Sequence, residues 1–168
     1  IGGASGLVGG NILENLKGEK VLLILRTELK NLPNSVDQKI INFKKLHDIK
    51  LPKAKKIFIC HGTRLGLIEL LYIKKKNRKS FIEVDYEYSY ILAKKAFHAG
   101  CKKIAFISAV GSNPKSLNLY LKTKGTTENT IKQIGFKSIV FARPGHLLGI
   151  RKNQKNKLLI SLFELFTN

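Results

Sequence analysis

Short apolar runs alternate with longer segments whose apolar positions recur every three to four residues, and the alternation continues along nearly the whole chain. Runs rich in Ile, Val, Leu and Phe at Lys20–Leu25, Lys39–Asn42, Lys56–Cys60, Lys103–Ser108 and Ser138–Ala142 read as strands, and Ile1 reads as the end of one more. Helical spacing marks Leu7–Leu16, where Val8, Ile12, Leu13 and Leu16 share a face, then Phe81–Ala99, Leu119–Ile134 and Lys157–Phe166. Gly18, Gly100 and Gly135 each follow a helix, where a left-handed residue closes the last turn. Strands alternating with helices predict an α/β fold, a Rossmann-like doubly wound parallel sheet with helices on both faces. Asn31–Asp37 reads as a polar turn and Leu65–Ser80 as a long basic connection.

Composition narrows the picture. A chain of 168 residues, 43% of them hydrophobic, fits one domain spanning residues 1–168 around one core. It has no methionine and begins at Ile1, so it is expected to be a fragment truncated at its N-terminus, with a natural end beyond Asn168 left open. No apolar run approaches the length of a bilayer span; Leu65–Ile73 is short and carries Glu69, so no membrane partner is expected. Cys60 and Cys101 sit in apolar surroundings without metal-ligand spacing, which predicts free thiols, no metal site and a cytoplasmic location.

Net charge is +20, yet only five of the 31 basic residues are arginine and the lysines are scattered. A nucleic-acid surface would concentrate arginine among stacking aromatics, so a nucleic-acid partner is not expected. The run Lys74-Lys75-Lys76-Asn77-Arg78-Lys79 reads as a solvated loop. Oligomeric state is not encoded in these features.

Candidate chemistry lies in two places. In Gly3-Ala-Ser5-Gly6-Leu7-Val8-Gly9, the first glycine permits a tight turn and the second a close approach to a pyrophosphate. Gly9 permits close packing of the next helix, whose N-terminal amides face the phosphates. Tyr120 and Lys124, four residues apart, rise from one helix face. A phenol ionises near pH 10, so it needs a cation such as Lys124 to work near neutrality, and Ser108, ending a strand at the same rim, could hold a carbonyl. Each feature alone is common on ordinary helices and turns; their joint occurrence in this order points to ketone–alcohol interconversion with a small-molecule substrate.

Together with Val84-Asp85-Tyr86, Ala99-Gly100-Cys101-Lys102, Phe106-Ile107-Ser108-Ala109-Val110-Gly111, Tyr120-Leu121-Lys122-Thr123-Lys124-Gly125 and Arg143-Pro144-Gly145, these motifs are similar to the atypical branch of the short-chain dehydrogenase/reductase superfamily. That branch includes the HIV-Tat-interacting oxidoreductase and bacterial NAD(P)-binding relatives, and the resemblance covers almost the whole chain. It implies Gly3, Ser5, Gly6, Leu7, Val8 and Gly9 around the pyrophosphate, Arg26 against a 2′-phosphate, Asn42 near adenine, and His61 and Gly62 along the cofactor. It also implies Tyr120 as proton donor, Lys124 as its partner, Ser108 as carbonyl anchor and Leu147 near the nicotinamide. An arginine fork suits a phosphate better than a ribose hydroxyl, so NADP is favoured over NAD, with Glu28 keeping NAD as the lesser option.

The chain departs from the pattern at Asn42, where relatives often carry aspartate, and at Ala109, where relatives have a second serine, leaving Ser108 to act alone. Of the histidines, His47 and His98 read as surface residues and His146 as the one near the substrate side. The function expected is an NADP-dependent oxidoreductase; the alternative is an NADPH-binding regulatory or interaction protein with little activity. Because a parallel sheet buries its first strand centrally, the chain as given is expected to fold poorly or bind cofactor weakly.

Overall fold

The computed structural model describes residues 1–145; His146, Leu147 and the helix expected at Lys157–Phe166 lie outside the described residues. Five parallel strands, β1 (Val21–Leu25), β2 (Val36–Ile40), β3 (Lys56–Ile59), β4 (Lys103–Ile107) and β5 (Ser138–Ala142), form two groups, β2–β1 and β3–β4–β5. The groups do not pair directly. Gly2 lies between them, bridging in parallel to Ile24 on one side and Ile59 on the other. The sheet order is therefore β2, β1, the Ile1–Gly2 stub, β3, β4, β5, the doubly wound order expected from the sequence.

Burial explains the strand chemistry. The run Val21-Leu22-Leu23-Ile24-Leu25 is apolar throughout because both faces of β1 are covered. Val21, Leu23 and Leu25 pack with Leu13 of helix α1 (Leu7–Asn15) and with Leu16, which caps its end. Ile24 joins the opposite cluster with Ile59, Phe106, Leu92 and Ala96 of α4 (Tyr88–His98), and Ile131 of α5 (Leu119–Ile134). Helix α5 has the expected bounds because the Asn118 side chain accepts from the Leu121 amide at one end and Gly135 turns left-handed (φ +100°) at the other.

Two expectations are corrected. Strand β2 begins at Val36, within the stretch expected to be a turn, and stops at Ile40, before Asn42. None of its residues is buried, and the polar Asp37, Gln38 and Lys39 disguise a strand that pairs residue by residue with β1. The basic connection Leu65–Ser80 contains two helices, α2 (Leu67–Leu71) and α3 (Lys75–Ile82). Lysine is a good helix former, and α3 buries only Phe81, so the segment carries no apolar stripe to announce it. Helix α3 runs through a π-helical turn, Glu83–Glu87, directly into α4.

Candidate active site

The glycine loop is held against the loop that follows β3. Gly3 has φ +86°, and a Cβ there would lie 2.4 Å from the His61 amide nitrogen; a Cβ on Gly9 would lie 2.3 Å from the Gly3 carbonyl oxygen. No side chain fits at either position, so the backbones of the loop, α1 and residue 61 touch. Gly6 caps α1 in an extended conformation without a side-chain acceptor, and the first turn carries no acid. Its leading amides and positive dipole end lie beside the exposed Ser5 and the half-buried Leu7 and Val8.

Two polar atoms at this rim are sealed from water without a partner: His61 Nδ1 and Thr63 Oγ1. Buried polar atoms in folded proteins are nearly always satisfied, so a pair of orphans beside a glycine cradle fits a polar ligand laid across them. Burial pushes the His61 imidazole down to about 4, against the pull of Asp85 and with the help of Lys124 and Arg26. Because its folded value lies below its unfolded value, the unfolded chain binds more protons as pH falls from the ordinary histidine range toward 4, and stability is lost over that window. We expect a loss on the order of 2–3 kcal/mol there, measured as urea midpoint against pH and flattened in His61→Gln.

Arg26, just past β1, is exposed, and its charge acts on His61 and on Tyr88, whose phenol is nevertheless pushed up to about 12 by burial and the hydrogen bond to Glu83. Phe43 lies between these rings, 5.8 Å from His61 and 5.4 Å from Tyr88. Asn42 uses its Oδ1 to accept the Lys44 amide, so the hydrogen-bonding group it retains for a base is the Nδ2 donor. Glu28 accepts from Gln38 Nε2 at 3.3 Å.

Tyr120 and Lys124 share the helix face the spacing predicts, but the ammonium has a partner the spacing did not name. Lys124 Nζ lies 2.9 Å from Asp85 Oδ1, with 6% and 1% of the two side chains exposed, and donates to the Ile107 carbonyl at 3.3 Å. The other Asp85 oxygen accepts the Thr63 amide at 2.7 Å. A Cβ on Gly62 would reach within 3.0 Å of Asp85 Oδ1 and 3.5 Å of Lys124 Nζ, so the bare glycine backbone covers the ion pair. The Tyr120 ring rests against Phe81 at 6.2 Å. Burial, and then the Asp85 charge, raise its phenol above the ordinary tyrosine range. That direction is opposite to the one a free Lys124 cation would produce, and it leaves Tyr120 protonated at neutral pH.

Ser108 is buried beside this cluster, one residue past the carbonyl that Lys124 bonds. It does not stand alone: its Oγ is 2.8 Å from Ser112 Oγ, which also donates to the Ala109 carbonyl at 2.6 Å and accepts the Ala109 amide. The turn through Gly111 (φ +75°) brings Ser112 back to the place next to Ala109. The same cluster holds Glu128, a fully buried carboxylate paired with Arg143 through two nitrogens. Burial pushes the Glu128 carboxyl up, but the hydrogen bonds and charge of Arg143 outweigh it and hold it below the usual range.

The structure thus links Gly3, Gly9, His61, Gly62 and Lys124 through close contacts, with Tyr120 on the same helix as Lys124, and sets Ser108 in an adjoining polar cluster. Sequence reasoning missed the roles of Asp85, Thr63, Ser112 and Glu128. Asp85 stands between two further acids, Glu83 and Glu87, so nothing in the sequence marked it as the buried one that requires a cation.

No family model matches the chain. It is 30% identical over 154 residues to the mitochondrial protein FMP52 of Candida albicans, covering 89% of this chain and 67% of that one. It is 31% identical over 160 residues to FMP52-1 of Scheffersomyces stipitis, also named mitochondrial, covering 93% and 70%. Protein HTATIP2 of Rattus norvegicus is 30% identical over 169 residues, covering 91% of this chain and 64% of that protein. Among solved structures, the UDP-glucose 4-epimerase of Thermotoga maritima superposes with a TM-score of 0.75 at 16% identity, covering 96% of this chain and 60% of the enzyme. A short-chain dehydrogenase/reductase superfamily protein from Agrobacterium tumefaciens with bound NAD gives 0.64 at 16%, covering 84% and 47%. The chain therefore spans about half to three fifths of these solved structures, and at such identity they establish the fold. The cytoplasmic expectation is overturned by the mitochondrial FMP52 relatives. Its basis, the free thiols of Cys60 and Cys101, is present, but a free thiol marks a reducing compartment and not a particular one.

Proposed function

This chain belongs, with the FMP52 and HTATIP2 proteins, to the atypical branch of the short-chain dehydrogenase/reductase superfamily, and on that premise we propose that it is an NADP-dependent oxidoreductase interconverting a carbonyl and an alcohol. One observation carries the reading: Asp85 ties the lysine of the Tyr120–Lys124 pair to the loop beside the glycine cradle. Cofactor cradle and proton donor are thereby parts of one site.

The residues fit a dinucleotide. Gly3, Ser5, Gly6, Leu7, Val8 and Gly9 would receive its pyrophosphate, Arg26 its 2′-phosphate, the Asn42 amide its base, and His61 and Gly62 its length; Leu147 remains assigned to the nicotinamide end by resemblance. The bound cofactor supplies hydride at its nicotinamide. In reduction, Tyr120, kept protonated by its burial and by Asp85, gives its hydroxyl proton to the oxygen that gains negative charge. Lys124 sets the electrostatics of that transfer as a fixed ammonium, and Ser108 would hold the carbonyl oxygen once its hydroxyl turns from Ser112 to the substrate.

The test is NADPH oxidation by the purified protein against a panel of aldehydes and ketones. Arg26→Ala is expected to weaken NADPH binding about tenfold or more, the worth of a charge-assisted hydrogen bond, with NADH affinity nearly unchanged. Equal losses for both nucleotides would remove the 2′-phosphate assignment.

A second reading, an NADPH-binding regulatory protein, is favoured by one feature: the Ser108 hydroxyl is already committed to Ser112, whose own proton goes to the Ala109 carbonyl. Saturable NADPH binding with no turnover of any carbonyl would decide for it.

A further inference from the structure

One side chain reaches both α5 and the loop that follows β3. Asp85 projects from the π-helical turn Glu83–Glu87 between α3 and α4. A π turn inserts one extra residue into a helix and is often found at functional sites. Here it carries an acid that is 1% exposed between two elements distant in sequence. Its Oδ1 meets Lys124 on α5 and its Oδ2 meets the Thr63 amide, while its own carbonyl accepts Thr127 Oγ1, also on α5, at 3.2 Å.

We propose that Asp85 is the positioning residue of this site, fixing the Lys124 ammonium with one oxygen and the Gly62–Thr63 backbone with the other. The inference rests on the oxidoreductase reading for what Lys124 does, but not for the coupling itself. Lys124 has two of its three N–H groups engaged, by Asp85 and Ile107, which leaves one for a ribose hydroxyl or the Tyr120 oxygen. An aspartate at this point therefore sets the direction of that last N–H and supplies the charge that lets an ammonium stay buried.

Four variants separate this role from a merely structural one. Asp85→Asn keeps an acceptor for the Thr63 amide and removes the charge facing Lys124. Asp85→Ala removes both, Lys124→Met removes the ammonium, and Asp85→Asn/Lys124→Met removes both charges. NADPH affinity of Asp85→Asn is expected to stay within about threefold of wild type, while kcat falls about tenfold or more with little change in the carbonyl KM. Asp85→Ala is expected to lose NADPH affinity a further tenfold or so, because the Thr63 amide is left unpaired. In thermal unfolding each single charge removal lowers the midpoint, and the double variant recovers part of the loss because no charge is stranded.

Wild-type kcat in Asp85→Asn would overturn the proposal, as would equal NADPH losses in the Asn and Ala variants or additive midpoint losses in the double variant. Should wild type reduce no carbonyl while the midpoints stay non-additive and Asp85→Ala still loses NADPH, the oxidoreductase reading fails and the positioning role stands.

Discussion

Tyr120→Phe is expected to lower turnover of any accepted carbonyl by about 10²–10⁴-fold, the usual worth of a positioned proton donor. NADPH affinity should stay within about threefold, because the ring remains packed on Phe81 and only an oxygen is lost. Steady-state kinetics beside a fluorescence titration of NADPH measures both quantities on one preparation. The sign in pH follows from the phenol's raised titration. Carbonyl reduction uses the protonated form and should persist well into the alkaline range, whereas alcohol oxidation uses the phenolate and should climb with pH over that same range. A Phe variant with undiminished turnover would mean that the proton comes from water or another group.

Gly125→Ala is expected to destabilise the protein by about 2 kcal/mol net, although alanine is the better helix former. Gly125 lies one residue past Lys124 within α5, and a Cβ there would lie 2.5 Å from the Asn113 carbonyl carbon and the Pro114 nitrogen. These are backbone atoms, so the helix or the 113–114 loop must move as a whole; overpacking of this kind costs about 1–3 kcal/mol and sometimes more. The helical gain from replacing glycine, roughly 1 kcal/mol, does not offset it. Gly10→Ala supplies the control. Its Cβ would meet only the Ala4 carbonyl oxygen at 3.5 Å, ordinary contact, so that variant should be stabilised by roughly 1 kcal/mol. Urea midpoints for both variants check the pair, and equal shifts would remove the steric argument. Turnover should fall in Gly125→Ala as well, since displacing α5 moves Tyr120 and Lys124 with it.

How far the sequence carried these conclusions depended on whether the physical signal was local. Strand β1 was legible because burial on both faces demands an apolar run, and α5 because Asn118 and Gly135 punctuate it. Strand β2 was hidden because an edge strand needs only half its residues apolar, and α3 because a solvated lysine-rich helix needs no stripe. The glycine cradle and the Tyr120–Lys124 pair were visible as spacings. Asp85 was visible as a residue but not as a partner: its contacts lie 22 residues away at Thr63 and on α5, and the π turn shifts the helical register that would place it. The Ser108–Ser112 pairing depended on one left-handed glycine turn, which spacing alone does not reveal.

The seam at Gly2 has a consequence for cooperativity. Strands β1 and β2 share no ladder with β3, β4 and β5; the halves are joined through Ile1 and Gly2, whose backbone bonds reach Leu22, Ile24, Phe58 and Cys60. The joint is not confined to those bonds: Ile24 of β1 packs in one cluster with Ile59, Phe106 and Leu92, so the two strand groups share a core. Arg26 follows β1 in one group, and Asp85, Tyr120 and Lys124 stand with the other. A dinucleotide laid from Arg26 to Tyr120 would add contacts to both groups at once and raise the stability of the whole fold by its own binding.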